Sequence, residues 1–408
     1  MISPKEKERL RELAKQQIQL ANSERNQQLI KEWWAHGDMD KESRPMILIE
    51  PNTFADELIQ PRLQSESDLA RELEYSLLFN TLNFKYFKDD MLVRDYLPVD
   101  IEYRLQPFGI AGERIKTEGI GYHIEPQVVD LEADFHKLSK SILVNNGEDR
   151  KVFCDFAREN VGDILPIKET GSCPFIVPTY NVVHVMGMEN MYMAMIDEPE
   201  LFHKMMKMLT NDYIEVYQKM EEEGMLLPTN GDVRLLQGSY CFTSDLPKTG
   251  IGLKTSQVWL YMDSQEASAV SPEMYHEFFA PYYQQLSEQF GLLCYGCCES
   301  VSGIWKDSVS KYKNLRKVSI APWCDEEYMG EQLQDYQAVY QRKPTPNLIG
   351  VDKILDEVAA RDCIAKTLAA TKGVKKIEFS QRDVYTVHKD LKKVERYVQI
   401  IREECEKR

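Results

Sequence analysis

A chain of 408 residues with 43% hydrophobic content can hold one large β/α barrel with insertions or two average domains, and it has apolar side chains enough for a sizeable core. A formal charge of −16 argues against nucleic acid and anionic membrane surfaces, both of which attract excess Lys and Arg. No run of about 18 apolar residues occurs and the N-terminus is charged, so no membrane span or signal peptide is expected, and the expected location is the cytoplasm. Nine cysteines, three of them between Cys294 and Cys298, suit reduced thiols or metal ligands better than a secreted disulfide framework.

Residues 1–44 read as an exposed helical arm, a lid or an oligomerisation element: Ser3 and Glu6 form a capping box, Pro4 takes the first helical position, and charge dominates the rest of the arm. Residues 45–408 then alternate short apolar runs with amphipathic helices. The runs predict strands at Met46–Ile49, Val99–Leu105, Ile164–Lys168, Gln257–Met262, Gly291–Tyr295, Lys317–Ala321, Asn347–Gly350 and Lys375–Phe379. Eight strands separated by helices predict an α/β fold, a (β/α)8 TIM barrel with an N-terminal helical extension. One helix is marked by the N-cap Ser271 with Pro272 behind it; others end at Gly224 and Gly373. The Pro/Gly-rich segment at about 225–255 fits no barrel element and is expected to be a long loop insertion shaping the mouth.

Chemistry is expected where strands run out into loops, because catalytic groups of β/α barrels sit at the C-terminal ends of the strands. The run GLLCYGCCE, Gly291 to Glu299, ends on Cys297, Cys298 and Glu299, and KVSIAPWCD ends on Trp323, Cys324 and Asp325. Strand alternation puts Tyr295 and Cys297 on one side and Cys294 on the other, toward the helices, so Cys294 and Cys297 make a poor chelating pair. Cys297, Cys298 and Cys324 with one carboxylate are a plausible zinc set, although a free Cys usually just packs. Glu266, Glu299, Asp325 and Asp383 are the candidate catalytic acids, and Tyr295, His184, Trp323, Arg342 and Lys343 the candidate substrate contacts. Arg342 and Lys343 are expected to precede a strand near Pro346. Solvated loop charge is the plain alternative for these acids and bases, and a satisfied core histidine for His184. No GxGxxG, P-loop, GxSxG or HExxH motif occurs, which argues against dinucleotide enzymes, P-loop enzymes, α/β-hydrolases and zincin proteases.

The segment MDSQEASAVSPEMYHEFFAPYYQQL, with an acidic strand end, a Ser-Pro cap and an aromatic helix, resembles the uroporphyrinogen decarboxylase superfamily, as does ETGSCPFIVPTYNVV upstream. GLLCYGCCE falls where the cobalamin-dependent methyltransferases of that superfamily carry a His-x-Cys zinc motif. The resemblance spans roughly residues 45–405 and is clearest from 160 onwards. Two departures matter. The decarboxylases carry an Arg-rich segment after the first strand, where this chain reads ILIEPNTFADELIQPRL; Tyr295 stands in place of the zinc-binding His, and residues 379–381 hold no third Cys.

The resemblance implies a methyltransferase that moves a methyl group from a small methylated substrate, or to a thiol, with zinc assisting and a corrinoid supplied by a separate partner protein, in the setting of anaerobic metabolism. One alternative is a metal-free decarboxylase or lyase of the same fold, with Arg342, Lys343 and Arg382 holding a carboxylate and Asp263 stabilising a protonated intermediate. Another is a non-catalytic binding protein. The expected partners are a small-molecule substrate and a corrinoid protein, with no nucleic acid and no membrane, and a homodimer is left open.

Overall fold

The computed structural model describes residues 2–111, 114–116, 122–235 and 238–407. Its centre is a parallel six-stranded sheet of β1 (Met46–Ile49), β6 (Trp259–Met262), β7 (Leu292–Tyr295), β8 (Leu315–Ile320), β9 (Val339–Arg342) and β10 (Lys376–Gln381), ordered β1-β10-β9-β8-β7-β6. Strands buried on both faces read as short apolar runs, and all four residues of β1, β6, β7 and β9 are buried. A second parallel pair joins β2 (Leu97–Ile101) to β3 (Ile167–Gly171). Just past β3, a single parallel bridge from Phe175 to Tyr261 ties that pair to β6.

The arrangement is α/β with a six-stranded parallel sheet, and its hydrogen bonds do not close an eight-stranded ring: among the described residues no ladder joins β1 to β2. Two strand expectations are corrected. Asn347–Gly350 is a short helix, and the strand of that unit is β9, so Arg342 closes the strand and Lys343 comes after it. PTPNLIG holds two prolines, which suit a helix entry and cannot donate to a ladder. The insertion at about 225–255 is more than a loop, for it contains the antiparallel hairpin β4 (Gly231–Leu235) and β5 (Ser239–Cys241); residues 236 and 237 lie outside the described residues.

The arm forms α1 (Pro4–Ala21) and α2 (Glu24–Gly37), with the Ser3–Glu6 capping box present. It is less exposed than an outer arm would be. Leu10, Leu13 and Ala14 pack against Leu73, Leu77 and Ala157, and Trp33 is buried against Tyr240 with ring centroids 5.0 Å apart. His36 is fully buried, its Nε2 3.2 Å from Glu378 on β10. There Lys317 Nζ donates to Glu378 at 2.6 Å and to Ser239 at 2.7 Å, so α2, the hairpin and the sheet share one buried polar knot. A carboxylate with two such partners is satisfied where it would otherwise be costly.

No helix among the described residues is long and apolar enough to cross a membrane.

Candidate functional site

Alternation along the strands decides which side chains reach the site. Lys317, Glu378 and Ser239 form the polar knot with α2, whereas Tyr295, Ile320, Tyr340 and Phe379 belong to the main apolar core. The concave face is therefore the one bearing Cys294 and Tyr261, which pack with Trp259 and Cys241. The expected facing of β7 is thus reversed. Tyr295 is buried on the helix side, bonded through its hydroxyl to Tyr275 at 2.7 Å and to Ser264 at 2.8 Å, and does not reach a substrate space.

Continuing the concave alternation past each strand end gives Glu50, Asp263, Cys298, Lys343 and Arg382. Five strands thus each deliver one charged or ionisable side chain to one end of the sheet, the station where barrels keep their chemistry. Cys297 joins them because Gly296, at φ 104°, breaks the alternation.

Cys297 Sγ donates to Cys298 Sγ at 3.6 Å, Cys298 Sγ lies 3.8 Å from Asp383 Oδ2, and Arg382 Nη1 is 4.0 Å from Cys297 Sγ. Arg382 is also 3.3 Å from Glu50 and 3.4 Å from Asp383, which sits at φ 57°. Lys343 Nζ donates to Cys297 O at 2.8 Å. The shared proton pushes the Cys297 thiol up, with burial adding to the effect. The same bond, helped by Lys343 and Arg382, pulls Cys298 down, making it the more acidic thiol of the pair. Lys343 is pulled down by burial.

Next to this pair the carboxyl of Asp263 is pushed well above its ordinary value by burial and by the neighbouring Glu299, which favours its protonated form. It accepts from Tyr261 OH at 2.7 Å. Burial also raises Glu50 and Glu266.

The remaining candidates fall elsewhere. Glu299 is a brace, its two oxygens accepting the N–H groups of Ser264 at 2.9 Å and Cys297 at 2.8 Å. Glu266 lies on the next turn but points away to Thr179 Oγ1, at 2.8 Å. Asp325 is an exposed N-cap, accepting from Tyr328 N at 3.0 Å. Arg342 is buried on the helix side, 2.9 Å from Glu326, with no carboxylate-binding capacity to spare. Trp323 is exposed and donates to Cys298 O, over the thiol pair. His184 lies tilted against Tyr180, with ring centroids 3.7 Å apart, and lines a cavity of about 1040 Å³ that Arg382 and Glu50 also border.

The three proposed zinc thiols do not converge. Cys324 Sγ is turned to Glu299 O at 3.8 Å. Among the described residues no group of three or more His, Cys, Asp or Glu is arranged to hold a metal ion, so the donor set does not fit zinc.

No protein-family model matches the chain, and no curated protein matches it. Among solved structures it is similar to a methyltransferase from Methanosarcina mazei, at 12% identity and TM-score 0.51, over 93% of this chain and 98% of that one. The likeness is one of fold.

Glu50 stands outside every reading made from the sequence, and Asp263 and Arg382 enter there only in the decarboxylase alternative. Glu50 carries a local signal, because it comes directly after an apolar run as Cys297 nearly does. The signal for the correct facing is the alternation of polar and apolar residues in KVSI and KIEFSQ.

Proposed function

We propose that the protein is a methyltransferase acting on a small methylated substrate, with the acceptor presented at the mouth by a separate corrinoid protein. The observation that carries this reading is the convergence of Cys298, Lys343, Arg382 and Asp263 at the strand ends, with Arg382 reaching the wall of a cavity of about 1040 Å³. The fold likeness to a methyltransferase supports it. The eight parallel strands, bridged from Phe175 to Tyr261 and open only between β1 and β2 among the described residues, support a distorted (β/α)8 barrel formed by residues 45–408.

A methyl group becomes transferable when electron density is drawn from the atom that carries it. Lys343 and Arg382 draw it electrostatically, and Asp263 supplies a proton. The bond from the methyl carbon to that atom breaks, its electron pair stays on the leaving atom and takes the Asp263 proton, and the carbon bonds to the acceptor's nucleophile. Cys298 and Asp383 lie beside the two cations in the resting site. A corrinoid would supply the nucleophile when its carrier is docked.

The neutral acid beside Arg382 also favours a second reading, a decarboxylase or lyase in which Arg382 holds a carboxylate and Asp263 protonates the carbon left behind. One assay separates the two. The protein is incubated with isotopically methyl-labelled carboxylates and free cob(I)alamin, and both the cobalamin spectrum and released CO₂ are followed. Label transfer that is lost in Asp263→Asn and Arg382→Gln is the expected result; CO₂ release without transfer selects the second reading, and neither event rejects both.

A further inference from the structure

The cavity beside the thiol pair has four arginines on its wall, Arg94, Arg104, Arg234 and Arg382. Three are already matched. Arg94 Nε is 3.3 Å from Asp232, Arg104 is 2.7 Å from Glu102, and Arg382 is 3.3 Å from Glu50. Arg234 has no carboxylate within ion-pair distance among the described residues, and its Nε is buried with no acceptor. What it does have is an aromatic face: its guanidinium carbon lies 5.6 Å from the ring centroid of Phe79.

The backbone aims this side chain. In the hairpin the register of β4 against β5 shifts between Gly231 and Arg234, and a bulge of this kind re-aims the residue beyond it. A buried guanidinium N–H without an acceptor costs the protein stability unless something arrives to accept from it. The surrounding wall narrows the choice of ligand. Phe79, Phe175, Tyr180 and Tyr217 present ring surface to the same cavity, which suits a flat apolar body. The other arginines of the wall pair off, and Arg234, which Glu50 senses without forming an ion pair with it, keeps a guanidinium fork that suits a singly charged carboxylate better than a phosphate dianion.

We infer that Arg234 is a substrate-binding residue that takes the carboxylate of an aromatic monocarboxylate, with the ring lying along the Phe79 side of the cavity. This rests on the reading of the cavity as the substrate chamber, and it adds the substrate class and the residue that selects it. Neither Arg342 nor Lys343 serves this purpose, one being spent on Glu326 and the other lying at the thiol pair.

The test is direct binding, with no methyl donor, acceptor or corrinoid present, so it does not depend on the transfer reaction. Titration calorimetry of the full chain compares benzoate with its neutral isostere benzamide, and inorganic phosphate is tried as a competitor. Benzoate is expected to bind roughly 10- to 100-fold tighter than benzamide, the size of one charge-assisted bidentate contact. Phosphate is expected not to compete. In Arg234→Gln the preference for benzoate is expected to disappear while benzamide binding holds. Arg234→Lys, which keeps the charge without the fork, is expected to retain part of the preference, and it carries the test if the Gln variant does not fold. Equal binding of benzoate and benzamide by the unaltered protein, no binding of either, displacement of benzoate by phosphate, or a full preference in Arg234→Gln would each overturn the assignment. Benzoate preference together with a failed transfer assay would leave Arg234 in place and reject the methyltransferase reading alone.

Discussion

The surroundings move the thiols of Cys297 and Cys298 in opposite directions. Cys297 is the more buried and donates at 3.6 Å, while Cys298 is half-buried beside Lys343 and Arg382. A thiol whose pKa is lowered is reactive at lower pH, so Cys298 is expected to be the first cysteine alkylated by iodoacetamide, with a rate midpoint below the ~8.5 of a free thiol. Lys343→Met should move that midpoint up. Peptide mapping by mass spectrometry across a pH series checks both, and faster labelling of Cys297 would contradict the proton's placement. Cys294 lies deeper on the same face, with burial raising it to about 12. Cys294→Ala should lose about 1 kcal/mol in urea unfolding through a small cavity and leave the Cys298 profile unchanged.

At the scale of the element, β7 delivers its cysteines through one glycine. Gly296 holds φ 104°, and a Cβ there would come 3.1 Å from Ser319 Cβ and 3.2 Å from Val301 Cγ1. Gly296→Ala combines backbone strain with crowding and should cost about 1–3 kcal/mol, with the Cys298 reactivity advantage lost as the loop shifts. Denaturant curves and the alkylation assay read the two effects separately. On β10, Glu378 has its carboxyl lowered to about 2, where Lys317 and His36 outweigh burial. By linkage, a depressed carboxyl stabilises the fold fully above its ordinary value of 4.5 and loses that contribution as pH falls through 2. Glu378→Gln leaves Lys317 buried with no counter-ion and should cost about 3–5 kcal/mol near neutrality. The gap between the two proteins should close as pH drops from about 5 toward 2. Urea titrations over that range test it, and a gap that widens in acid would show that Glu378 is not the stabilising carboxylate.

Across the whole molecule, the arm and the sheet share one interior, because Trp33 and His36 of α2 sit with Tyr240, Phe242, Met46 and Glu378. Removal of residues 1–37 would bare that surface, so the truncated chain is expected to show no cooperative thermal transition by circular dichroism; a melting temperature like that of the full chain would make the arm an accessory. Much of this architecture is legible locally. The capping box of α1, the apolar run MILI, and the strands ending at Met262, Tyr295 and Ile320 are set by short-range pattern, because helix caps and buried strands depend on neighbouring residues. The sequence also points to the strand ends at Cys297, Cys298 and Asp383 as the place for chemistry, since in parallel β/α units that end is common to every strand. Other points lie beyond local pattern. The apolar run LLCY carries no alternation of its own to say which side is concave, so read by itself it turns Tyr295 toward the wrong side. Whether α2 covers the sheet, whether Cys324 meets Cys297, and whether Arg234 finds a carboxylate all depend on residues far apart in the chain. Those contacts exist only once the tertiary structure has brought the strands, the hairpin and the arm together, and packing, not local propensity, decided them.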